Sequence, residues 1–149
     1  MMLAIIRPSA WELPLLVHVA GAMLLVGALV VVAAASAGAL RRDDDAAVLT
    51  RIGYRGMLLG VLPSYVVMRV GAEWIASEEA VGDTTWIGIG YGVADGGLLL
   101  TIIATVLAGR AARRGAGGPG GAGRAVVVLS ALLIVAYVVA TWAMTAKPT

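Results

Sequence analysis

Four long, mainly apolar runs alternate with short polar segments along this chain. Leu13 to Leu40 is interrupted only by His18 and Ser36, and a helix needs about 20 apolar residues to cross a hydrocarbon core. The other runs cover about 57–77, 86–109 and 125–145. The pattern predicts an all-α polytopic membrane protein, with four antiparallel transmembrane helices in an up-down bundle forming one domain over residues 1–149. A secretory signal peptide is the rival reading of the first run, because Ala33 to Ala39 offers small residues for cleavage. Against it, the run exceeds a signal peptide's apolar region and Glu12 precedes it beside Arg7. Cleavage would also send Arg41, Arg42, Arg51 and Arg55 outward, against the positive-inside rule.

The polar segments punctuate these runs. Asp43, Asp44 and Asp45 read as caps and dipole partners for the next helix rather than as a metal site. Pro63, inside the second run, should free the carbonyl of Leu59 and kink the helix. Residues 115–123, GAGGPGGAG, read as a flexible linker. Gly115, Gly117 and Gly120 match a dinucleotide-binding motif by letters, but no strand precedes them and no βαβ unit surrounds them. The acidic loop of Glu78, Glu79 and Asp83 matches no calcium cage and reads as a solvated turn.

Charge sets the orientation. Arg41, Arg42, Arg51 and Arg55 lie between the first two runs, and Arg110, Arg113, Arg114 and Arg124 between the last two, whereas the middle connection has no Lys or Arg. Both basic loops should be cytoplasmic and both termini outside. Trp11, Trp74, Trp86 and Trp142 then all fall at the outer interface, as an aromatic belt requires.

Composition narrows the chemistry. The chain is 60% hydrophobic and 13% charged, which suits a bilayer and makes lipid its first partner. With no Cys, disulfides, thiolate metal sites and Cys nucleophiles are excluded. The absence of Asn, Gln and Phe, with Arg far above Lys, reads as the codon bias of a GC-rich bacterium and points to the bacterial cytoplasmic membrane. The net charge of +2 is small and its basic residues are explained by topology, so no nucleic-acid partner is expected. A homo-oligomer or a larger membrane complex remains open.

Candidate chemistry lies in the ionisable residues set inside the apolar runs. At a rise of about 1.5 Å per residue, Glu73 lies about 6 Å and Arg69 about 12 Å below Ser77, Asp95 about 13 Å below Trp86, and His18 about 10 Å below Trp11. These four share one layer in the outer half of the bundle. Tyr65, Arg69 and Glu73 form a stripe on the second helix, Tyr91 and Asp95 on the third, and Ser130, Tyr137, Thr141 and Thr145 on the fourth. Packing should turn these stripes inward and bury an Arg69–Glu73–Asp95 network. Two readings follow: a network that only fixes helix packing, or a polar pocket or proton path of a small proton-coupled transporter. His18 offers a third, haem b in a membrane redox protein, with a two-fold dimer supplying a second ligand or the iron left five-coordinate. No metal site and no other cofactor are implied. Ser64 and Ser130 lie on the cytoplasmic side of the single histidine without a hydrolase motif, so no enzyme activity follows.

The pieces LPSYVVMRVGAEWIASEE and WIGIGYGVADGGLLL resemble the central segment of uncharacterised four-helix integral membrane proteins of GC-rich bacteria. Pro63, Met68, Arg69, Trp74, Ile75, Ser77, Glu79, Trp86, Ala94 and Asp95 carry the likeness, over about a quarter of the chain. HVAGAMLLVG, beginning at His18, is weakly similar to the copper-resistance D and HemJ-like membrane families, in which histidines are associated with haem or metal. Their further histidines are missing from this sequence. The resemblance implies a fold and no activity.

Overall fold

A computed structural model describes residues 12–78, 85–114 and 119–146. Among them the regular structure is entirely helical: α1 (Glu12–Ala39), α2 (Ala46–Glu78), α3 (Thr85–Arg114) and α4 (Gly120–Ala146). Each of the four is long and apolar enough to cross a membrane. Trp11, Glu79, Asp83, Lys147 and residues 115–118 of the expected linker lie outside the described residues.

Two helix starts differ from the sequence reading. The second helix begins at Ala46, well before Met57, because Thr50 and Gly53 give its early turns a buried face that hydropathy alone overlooks. Asp45 stands at its N-cap without a side-chain capping bond, so the aspartates keep only their favourable position at the positive end of the helix dipole. The fourth helix starts at Gly120, whose φ of 55° makes the sharp entry that glycine tolerates. Gly120 to Gly123 are therefore helix, not linker.

Pro63 acts through a wide turn. Met57–Val61 forms a π-helical turn inside α2, with the Leu62 N–H donating to the Met57 carbonyl five residues back. Widening the turn just before the proline accommodates a ring that has no N–H to give and would crowd the α register.

The core holds Leu25, Leu29 and Val32 of α1, Met57 and Val61 of α2, Ala104 of α3 and Leu133 of α4, all fully buried. The outside is equally apolar, with Leu16, Met23, Leu59, Leu99, Val135 and Trp142 exposed. α1 is central, packing along α2 and also against α4, while α3 packs along α4. Close approach between α1 and α2 depends on glycine. A methyl at Gly21 would overlap the Met68 backbone, and one at Gly71 would lie 2.7 Å from His18 Cα. The early turns of α2 lie against α3, but its Leu62–Glu78 part scarcely meets α3. A cleft therefore opens between these two segments.

Candidate polar site in the α2–α3 cleft

Arg69 bridges this cleft. Its Nη2 is 3.0 Å from Glu73 Oε1, one turn along α2, and its Nη1 is 3.2 Å from Asp95 Oδ1 on α3. The guanidinium carbon sits 4.7 Å from the centre of the Tyr91 ring, a cation–π contact. A planar guanidinium holds two carboxylates and an aromatic face together, which a single ammonium does less well. With one cation and two carboxylates, the cluster has a formal charge of −1.

The inward turn expected of all the stripes occurs for only some of them. Tyr65 and Tyr137 are buried. The Arg69 side chain is 27% exposed, Glu73 53% and Asp95 66%, so the network expected to be buried is not sealed among the four helices and its carboxylates face outward. At this level α2 lies against α1 through Gly21 and Gly71 and makes few contacts with α3. Thr141 is exposed, its hydroxyl donating to the Tyr137 carbonyl at 2.8 Å.

Below the ions lie the tyrosines. Tyr65, one turn before Arg69 on α2, and Tyr137 of α4 belong to the same buried core. The Tyr137 hydroxyl presses on α3 where Gly97 leaves space; a methyl there would lie 2.8 Å from it. Thr101 is fully buried on the same face of α3 and was not singled out from sequence. Its signal was the small-residue row Gly90, Ala94, Gly97, Thr101, Ala104, Ala108, Ala111, whose three- and four-residue steps mark a buried face.

His18 is engaged separately. Its Nδ1 lies 2.9 Å from the Met68 carbonyl. A carbonyl only accepts, so Nδ1 carries the proton in this bond and the neutral ring leaves Nε2 as its acceptor or ligand atom. Among the described residues, no three His, Asp or Glu side chains are placed to hold a metal.

Compared with protein-family models, curated proteins and solved structures, the chain has no significant match.

Proposed function

We propose that the chain is an integral protein of the bacterial cytoplasmic membrane, with four antiparallel spans, both termini outside, and the Arg69–Glu73–Asp95 cluster acting as the gate of a small proton-coupled transporter. The antiparallel reading is supported by paired contacts: Gly38 with Leu49, Val32 with Gly56, Ala28 with Gly60 and His18 with Gly71 descend α1 as they ascend α2. Membrane insertion is supported by four long apolar helices that expose many large apolar side chains, among them Leu, Val, Ile, Met and Trp.

The observation that carries the gate is the position of Arg69. It ties α2 to α3 where the two segments otherwise part, and its carboxylate partners face the opening. A network serving only to lock packing would lie inside the contact between helices. Carboxylates open on one side can exchange protons with water, and protonating Asp95 releases the bridge. A second copy or another membrane subunit is the alternative cover for the exposed acids.

The test uses purified protein in liposomes with an entrapped pH dye and an imposed potassium diffusion potential. Proton uptake should be lost in Asp95→Asn while the variant assembles as wild type. Unchanged uptake, or a variant that fails to accumulate in membranes, would return the cluster to a packing role. A redox reading rests on the free Nε2 orientation of His18; a reduced-minus-oxidised spectrum beside His18→Ala decides it by the presence or loss of a Soret band.

A further inference from the structure

Three buried hydroxyls in the α3–α4 contact have no hydrogen-bond partner: Tyr137 Oη, Thr101 Oγ1 and Ser130 Oγ. Thr101 and Ser130 are fully buried and Tyr137 is 6% exposed. Their isolation is not a general habit of this chain. Thr50, Thr105, Thr141 and Thr145 each donate to a carbonyl one turn back, a solution open to Thr101 and Ser130 as well. Leaving a buried hydroxyl unpaired costs about 1–3 kcal/mol, so three together call for an occupant.

Their heights form a file. Met144 packs at Gly90 and Tyr137 at Gly97, so a step along α3 matches an equal step back along α4. Thr101 lies one turn beyond Gly97, about 6 Å deeper than the Tyr137 contact, and Ser130 lies two turns from Tyr137, about 10.5 Å deeper. The axial gaps are thus about 6 Å and 4.5 Å. One water with a hydrogen bond of about 2.8 Å on each side spans about 5.6 Å. On the α3 side Ala104 is small, and the space left by Gly97 is taken by the Tyr137 hydroxyl with Leu133 Cδ2 beside it. At its upper end Tyr137 shares the buried core with Tyr65, one turn before Arg69 on α2.

We infer that Tyr137, Thr101 and Ser130 bind a short file of two or three waters, a hydrated branch leading from the foot of the ionic cluster into the middle of the bundle. The branch stands on the orphaned hydroxyls and does not require that the cluster carry protons.

Radiolytic footprinting of the wild-type protein in H2¹⁸O tests it directly, since a buried ring gains labelled oxygen only from a water held against it. Tyr137 should be labelled at a rate within about threefold of the partly exposed Tyr91, and Thr101→Val with Ser130→Ala should reduce that labelling at least fivefold. Tyr137 as unreactive as the dry core residue Met57, or labelling indifferent to the two substitutions, would overturn the inference. Should the double variant fail to fold, the wild-type comparison with Met57 decides alone. Proton flux is read in a different experiment, so failure of the gate and failure of the water file are distinguishable.

Discussion

Replacing Gly71 by alanine tests the arrangement that keeps the polar cleft open. The added Cβ would sit 2.5 Å from His18 N, 2.7 Å from its Cα and 2.9 Å from its Cβ, where carbon contacts normally fall near 3.5–4.0 Å. All three are backbone or backbone-anchored atoms, so no rotamer change relieves them. The helices must separate by about 1 Å to restore contact distance. That movement stretches the His18 Nδ1 to Met68 carbonyl bond from 2.9 Å to about 3.9 Å, beyond useful range. Overpacking costs about 1–3 kcal/mol and the lost bond about 0.6–1.5, while alanine's better helix propensity returns up to about 1. The expected net destabilisation is about 0.6–4.5 kcal/mol. Reversible denaturation in mixed micelles, followed by tryptophan fluorescence, measures it. Gly92→Ala is the control, since nothing lies within 4 Å of its added methyl. If the two variants agree within about 0.5 kcal/mol, typical of a neutral surface change, α1 and α2 do not meet as described.

Other expectations follow from the same geometry. If water fills the cleft, as the proposed gate requires, a double-mutant cycle of Arg69→Ala and Asp95→Asn should give a coupling energy below about 1 kcal/mol for the 66% exposed Asp95; coupling above about 3 would place the pair in a dry site. His18→Ala should lower stability by about 1 kcal/mol through loss of its bond to Met68, measured by the same denaturation; no change would mean that the bond contributes nothing. Gly97→Ala should displace the Tyr137 hydroxyl and destabilise by about 1–3 kcal/mol, with Tyr137→Phe in the same background restoring part of it; failure of that rescue would dissociate the two residues. A topology reporter fused after Thr149 should be active outside the cytoplasm, and activity only inside would reverse the assigned orientation.

The existence and placement of four helices were legible in the sequence because long apolar runs bounded by charge have few other folded solutions. The small residues at Gly97 and Ala104 also carried a buried-face pattern. What hydropathy concealed is where each helix points. Helices apolar on every side give a weak amphipathic signal, so Tyr65 and Glu73 look alike as members of one stripe. Their fates diverge in three dimensions: Tyr65 is buried, while Glu73 faces out. The π turn before Pro63 was hidden too, since a proline announces a disturbance but not how neighbouring turns absorb it.

Four apolar helices with Arg69, Glu73 and Asp95 set within them follow from the order of residues alone, because the length and hydropathy of each run are local properties. It took the folded chain to show that Arg69 reaches across to α3, that its carboxylates lie open, and that the buried hydroxyls of Thr101, Ser130 and Tyr137 have no partners. Those outcomes depend on where helices touch, backbone to backbone at Gly21 and Gly71 and against the Tyr137 side chain at Gly97, and such contacts belong to pairs of helices rather than to any one stretch of chain.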